Sequence, residues 1–172
     1  MSVGVFASGG ADSTMLLYET ARNNSNLHTI TIAYDVRDYA EAKVVKPIVE
    51  KVSELTGCNI ESKIYYLKRT KSKRDDFLYA ATNLNLNEYL IGLTKSPAGW
   101  EEDQGRSNIQ IKADRLRLPY KDLCKRDIIL MYKQYKLDDL LSLTVSCVNR
   151  TGPIPCGICW WCKERSWATG GV

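Results

Sequence analysis

An α/β domain, with a parallel sheet covered by helices on both faces, is predicted by three features of the sequence. Short apolar or β-branched runs alternate with segments of helical spacing along most of the chain. Strands separated by helices pair in parallel, because each crossover returns the chain to the same end of the sheet. The first apolar run breaks on "SGGADST", residues 8 to 14, where two glycines and small hydroxyls lead into a helix. Four cysteines, Cys147, Cys156, Cys159 and Cys162, crowd into the last part of the chain and predict a small metal-binding knuckle there.

The elements follow in order. Val3 to Ala7 is a short apolar run before glycines, read as a buried strand, and residues 13–23 carry Met15, Leu16 and Leu17 as a helix. "HTITIAYDV" (28–36) is β-branched and aromatic, a second strand. Residues 39–57 place Ala42, Val45, Val49, Val52 and Leu55 at helical spacing, with Gly57 as the stop and Pro47 an irregularity inside. "NIESKIYYLK" (59–68) alternates as a third strand, residues 75–84 suit a helix, and "EYLIGLT" (88–94) is a fourth strand. Residues 95–119 show no period and read as a functional loop. Residues 120–137 are helical again, and "LLSLTVSC" leads into the cysteines. The whole is expected to be one domain over residues 1–172, with 144–167 as the cysteine subregion.

Composition narrows the setting. The chain has 172 residues, 44% hydrophobic and 26% charged, with a net charge of +4. No apolar run approaches the roughly 18 residues of a membrane span. The start lacks the features of a signal peptide, so a cytosolic protein is expected, with no membrane partner. The charge is too mild to make nucleic acid an expected partner. The one dense basic run, "LKRTKSKR" (67–74), reads as a solvated loop or as an arm closing over phosphates or a carboxylate. His28 reads as a surface residue, and the isolated Cys58 and Cys124 as packing residues.

The glycine turn carries the first chemistry. Gly9 and Gly10 open backbone angles closed to other residues and let a ligand come close. The helix that follows presents free N–H groups and its positive dipole end, which favour an anion. Ser8, Ser13 and Thr14 add hydroxyls, while Asp12 beside an anion suggests a donor to orient or a Mg²⁺ to hold. The pattern suits a pyrophosphate with its metal. It has neither the lysine of a Walker loop nor the third glycine of a dinucleotide fingerprint. A plain strand-to-helix turn with a serine or aspartate cap is the structural alternative.

The cysteines carry the second. Cys147 is followed after a gap by two C-x-x-C steps through Cys156, Cys159 and Cys162, and Gly157 helps the tight turn. Four thiolates match a tetrahedral Zn²⁺ in a closed structural site. An iron–sulfur cluster uses the same number of cysteines, and zinc is the ion expected here. Arg150, Lys163 and Arg165 read as counter-charges for the thiolates. Trp160, Trp161 and Trp167 read as packing for the knuckle.

"SGGADST" resembles the pyrophosphate loop of the PP-loop ATP pyrophosphatase superfamily, whose fold is Rossmann-like (adenine nucleotide alpha hydrolase-like). The resemblance implies that ATP is cleaved between its α- and β-phosphates to adenylate a substrate. Ser8, Gly9, Gly10, Asp12 and Ser13 would hold the pyrophosphate and Mg²⁺, and adenosine would lie near Ala33 to Asp35. Together with "T-x-S-C…P-C-G-x-C-x-x-C-x-x-R" near the end, the chain resembles the 7-cyano-7-deazaguanine synthase (QueC-like) family. "LPYKDLCKRDII" is similar to that family's segment in which a lysine opens a helix, which would put Lys125 near the phosphates.

The family implies a ligase that converts 7-carboxy-7-deazaguanine and ammonia to the nitrile through adenylated carboxylate and amide stages. It serves queuosine-type biosynthesis in a bacterial or virus-infected cell, and it implies a homodimer. Two departures fall where the base would be recognised. Arg74-Asp75 stands in place of Arg-Asn, and "SPAGWEEDQGRSN" stands in place of Tyr-Pro-Asp-Cys. Other readings are a tRNA-thiolating or protein-modifying relative, an enzyme that stops at the amide, or a non-catalytic zinc-stabilised module that binds nucleotide or nucleic acid. Against thiolation, the only candidate for a persulfide carrier is Cys124, whose "DLCKRD" setting reads as a helix face.

Overall fold

The computed structural model describes residues 2–33, 36–67, 73–100, 114–147 and 155–171, without the side chains of residues 36–42, 73–75, 77, 78 and 82. The elements run β1 (Val3–Phe6), α1 (Ala11–Ala21), β2 (Asn26–Ala33), α2 (Val36–Thr56), β3 (Asn59–Tyr66), α3 (Lys73–Leu84), β4 (Glu88–Ile91), β5 (Leu116–Arg117), α4 (Lys125–Gln134), α5 (Asp138–Leu143) and α6 (Trp160–Thr169). The five strands form one parallel sheet in the order β3-β2-β1-β4-β5.

This order follows from burial. β1 is covered on both faces, so its "VGVF" is apolar throughout instead of alternating, and all four residues are buried. It takes the middle of the sheet, with Gly4 opposite His28 on β2 and Tyr89 on β4. On one face Val5, Met15, Leu17, Val52, Ile128 and Leu140 join α1, α2, α4 and α5 into the larger core. On the other, Phe6, Ile30, Ala80, Tyr89 and Ile91 pack with α3. The expected Rossmann-like arrangement, helices on both faces and a cysteine knuckle at the end, is what the chain adopts.

Because β1 lies between β2 and β4, the crossovers leave β1 in opposite directions. The carboxyl ends of β1 and β4 therefore border a crevice, the place where such sheets bind ligands. Residues 8–14, Ala33 and Thr94 all lie at that end of the sheet.

Several elements differ from the sequence reading. The helix expected from residue 120 starts at Lys125. Its first turn is closed at Cys124, whose backbone N–H donates to Asp127 Oδ2 at 2.7 Å. That bond holds the Asp127 carboxyl below the usual carboxylate range. Residues 120–123 form a turn instead, with Leu123 N–H donating to Tyr120 O at 2.9 Å. Cys124 is thus the N-cap of α4 and not part of a helix face. Residues 138–143 form the separate α5.

Helix α2 runs through Pro47, and Gly57 ends it with φ 71°, a left-handed angle that favours glycine. The expected loop over 95–119 contains β5, and Lys95 forms a bridge with Cys124. Cys58 is buried, as a packing residue would be. Among the described residues, no helix is long and apolar enough to cross a membrane.

Candidate active site

The turn after β1 is built by its small residues. Gly9 has φ 78°, open to glycine and strained for others, and Gly10 is the N-cap of α1 with no side-chain cap. Ser13 fastens the turn from inside: its Oγ accepts from Ser8 N–H at 3.2 Å, lies 3.1 Å from Ser8 Oγ and donates to Gly10 O at 3.1 Å. The capping serine or aspartate of the alternative reading is absent: Gly10 is the N-cap and makes no side-chain cap bond. Thr14 is buried beside the Tyr132 hydroxyl.

Two further segments hold the turn in place. Tyr132 on α4 is fully buried and donates to Ala11 O at 2.9 Å, and burial pushes its phenol well above the usual range. Val145 N–H donates to Gly9 O at 2.9 Å. Residues 141–146 are in turn gripped by Arg165, which donates to Thr144 O at 3.0 Å, Thr144 Oγ1 at 2.8 Å, Ser146 Oγ at 3.3 Å and Leu141 O at 3.0 Å. Read from sequence as a counter-charge for thiolates, Arg165 directs its hydrogen bonds to this segment.

Asp12 is the centre of the polar site. Its carboxylate accepts from Lys125 Nζ, the first residue of α4, and from Thr94 Oγ1 at 3.3 Å, just past β4. Lys125 also lies 3.7 Å from Glu164 Oε2 on α6. All three charged side chains are buried, Asp12 at 9% exposure, Lys125 at 4% and Glu164 at 0%. The other Asp12 oxygen, Oδ1, is buried and accepts no hydrogen bond among the described residues. A buried carboxylate oxygen left open is costly unless a donor or cation reaches it, and a hard cation such as Mg²⁺ suits it.

Glu164 and Thr94 were not legible as site residues. Nor was Gly92, where a Cβ would lie 2.9 Å from Asp12 O and 3.0 Å from Ser13 N. Because those neighbours are backbone, Gly92→Ala is expected to cost about 1–3 kcal/mol by overpacking. Urea unfolding would read the loss, and an unchanged midpoint would show that the turn yields.

The same clustering gives a second prediction. Lys125→Met leaves two buried carboxylates without their shared cation, and breaking such a group costs about 3–5 kcal/mol. Added Mg²⁺ should recover part of that loss in thermal melts; a variant as stable as the parent would mean the carboxylates do not depend on Lys125.

Beyond α5 the four cysteine sulfurs lie within 4.8 Å of one another. Cys156 N–H points at Cys147 Sγ at 3.3 Å and Cys159 N–H at Cys156 Sγ at 3.4 Å, and Gly157 makes the turn with φ 73°. The backbone N–H groups of Cys159 and Ile158 lower the Cys156 thiol to about 6. Burial, with the Cys159 hydrogen bond second, raises Cys162 to about 12. Four thiolates held this closely need a cation, and the set fits a metal ion. Cys159 is also the N-cap of α6, so the knuckle fixes the helix that carries Glu164 and Arg165. Trp160, Trp161 and Trp167 cluster with Trp100, and Arg126 of α4 stacks on Trp167 at 4.2 Å.

Of the residues singled out from sequence, the turn residues and Lys125 come together, and the four cysteines form one group. Ala33 ends β2, and Asp35 lies outside the described residues, as do Arg150 and most of the basic run. The side chains of Arg74 and Asp75 and much of "SPAGWEEDQGRSN" are outside them too.

A parallel sheet with a glycine turn after β1, a buried aspartate on it and a lysine reaching it from α4 makes up the candidate site. Residues 2–83, just under half of the chain, match the family model described as "Queuosine biosynthesis protein QueC". None of the curated proteins matches the chain in sequence.

Among solved structures, the chain is similar in fold to NMN synthetase from Francisella tularensis, with TM-score 0.58 and 12% identity over 99% of this chain and 77% of that one. It is also similar to the U34-tRNA thiolase NcsA from Methanococcus maripaludis with its [4Fe-4S] cluster, with TM-score 0.57 and 15% identity over 99% of this chain. The chain spans 64% of that thiolase's length.

Proposed function

We propose that the chain is an ATP-dependent carbon–nitrogen ligase acting on 7-carboxy-7-deazaguanine and ammonia to give 7-cyano-7-deazaguanine. The contact of Lys125 with Asp12 carries the reading. It brings a cation and a metal-competent carboxylate, 113 residues apart in sequence, to an open helix N-terminus in a QueC-like segment.

A carboxylate is a poor electrophile. The turn around Gly9 and Gly10 would bind the β- and γ-phosphates with α1's N–H groups, and Lys125 would offset charge growing on the leaving pyrophosphate. Mg²⁺ at Asp12 Oδ1 would supply further charge stabilisation on the phosphate oxygens. The acid's oxygen bonds to the α-phosphorus as pyrophosphate leaves. Ammonia then attacks the carbonyl carbon and AMP leaves, giving the amide and releasing a proton. A second ATP adenylates the amide oxygen, and loss of AMP gives the nitrile.

The cysteines would hold Zn²⁺. Sulfurs about 2.3 Å from a tetrahedral ion are about 3.8 Å apart, close to the 4.0 Å between Cys156 and Cys162. A four-iron cluster interposes an iron between each cysteine and the centre and spreads the sulfurs wider.

tRNA thiolation is the second reading, favoured by the fold shared with a thiolase and by the four-cysteine group. Incubation with ATP, Mg²⁺, ammonium and 7-carboxy-7-deazaguanine should yield AMP, pyrophosphate and the nitrile by mass spectrometry. AMP formation only with tRNA and a sulfur donor, together with bound iron, would select thiolation instead.

A further inference from the structure

Glu164 is fully buried, at 0% exposure, on α6, a helix that starts at the cysteine knuckle. A buried carboxylate is costly unless it meets a cation, and an apolar side chain of similar volume would pack at less cost. Lys125 supplies a cation from α4: its Nζ lies 3.7 Å from Glu164 Oε2. That separation makes an ion pair but not a hydrogen bond. The same Nζ donates to Asp12 Oδ2 on α1, so the ammonium leans on one buried carboxylate with the other just beyond reach. A shift of about 1 Å toward α6 would make Glu164 its direct partner, at the roughly 2.8 Å of a charge-assisted bond.

The gap is set by helix docking. Arg126, next to Lys125, donates to Trp167 O at 3.1 Å and stacks on the Trp167 ring at 4.2 Å. Arg165, next to Glu164, is held by its acceptors on Leu141, Thr144 and Ser146. On the other side Tyr132 donates to Ala11 O and joins α4 to the residue before Asp12. The helices around the triad are thus pinned by other bonds, and the Lys125 ammonium is left between two carboxylates.

We infer that Glu164 is a positioning residue for Lys125, taking over its ammonium when a divalent cation engages Asp12. Asp12 Oδ1 is buried with no hydrogen bond among the described residues, which suits such a cation. A dication there draws on the charge of Asp12 and repels the neighbouring ammonium. With Glu164 in place, the ammonium moves the short distance toward α6 and stays beside the glycine turn. Its three N–H donors allow one bond to Glu164 while the others meet an anion on that turn. Glu164 touches no reacting atom and acts through Lys125. The role of Lys125 toward phosphate rests on the ATP chemistry proposed above, whereas the handover needs only the cation.

Glu164→Gln keeps the volume of the side chain and removes its charge. Urea unfolding of the parent, Glu164→Gln, Lys125→Met and the double variant forms a cycle that isolates the pair. Glu164→Gln should lower the midpoint in the parent, and more so with excess Mg²⁺ than without. In the Lys125→Met background it should raise the midpoint, because it removes a buried charge left without its partner. If Lys125→Met alone does not fold, recovery of folding in the double variant reads the same pairing. Elemental analysis should find the metal content of Glu164→Gln equal to the parent's. Misplacing a reacting group by about 1 Å costs up to about 10²-fold. With MgATP, kcat for pyrophosphate release should therefore fall about tenfold or more, while KM stays within about twofold. Equal midpoint shifts in both backgrounds, a double variant that stays unfolded, or a pairing indifferent to Mg²⁺ would each overturn the inference. So would loss of metal, or a kcat like that of an active parent. A parent that releases no pyrophosphate would refute the ATP chemistry alone, and the unfolding cycle would still decide the role of Glu164.

Discussion

Under the proposed function, Asp12→Asn should cut ATP-dependent pyrophosphate release by about 10²-fold or more. The substitution keeps the size of the side chain but removes the charge that Lys125 and Thr94 share on one oxygen and that a cation would share on the other. Loss of one preorganised electrostatic group at a reacting phosphate costs on the order of 10²–10³-fold in turnover. Because Lys125 and the proposed Mg²⁺ would both depend on Asp12, the fall should be at the upper end or beyond. Lys125 keeps Glu164 nearby, so the fold should survive and thermal melts should show a cooperative transition. Direct measurement of pyrophosphate release decides the matter: turnover close to the parent's would remove Asp12 from the chemistry and with it the proposed place of Mg²⁺.

A second large effect is expected at the other end of the chain. Cys159→Ser removes one of four sulfurs and also changes the N-cap of α6. Zinc binding contributes about 10–16 kcal/mol in small zinc-finger peptides, which rivals the roughly 5–15 kcal/mol that separates a folded domain from its unfolded chain. The variant should lose its metal by elemental analysis and lose much of its stability in the same preparation. Activity should fall as well, because α6 carries Glu164 to Lys125 and Arg165 to the segment that bonds Gly9. Treating the parent with a strong chelator should reproduce all three losses. A metal-free protein of full stability would contradict a structural role for the ion.

How much of this was legible in the sequence depended on whether a signal was local. The glycine turn was, since "SGGADST" fixes backbone angles and a helix start within a few residues. The cysteine knuckle was also legible, because two C-x-x-C steps impose their own geometry. Lys125 could be placed only through resemblance to a family, as nothing in "DLCKRD" states that its neighbour in space is Asp12. Glu164 gave no sign: an acidic residue in a basic, aromatic helix reads as solvated, and its burial arises from the docking of α6 on α4. Gly92 was silent for the same reason, its constraint being the backbone of another element. The start of α4 was misjudged because residues 120–123 have helical composition, while the capping bond from Cys124 to Asp127 decides where the helix begins.

The aromatic cluster has a practical consequence. All four tryptophans of the chain, Trp100, Trp160, Trp161 and Trp167, sit in one group around α6. Their ultraviolet emission therefore reports on one place and not on the molecule as a whole. Loading or stripping an ion at the neighbouring cysteines should therefore be followed optically, in real time and without a label.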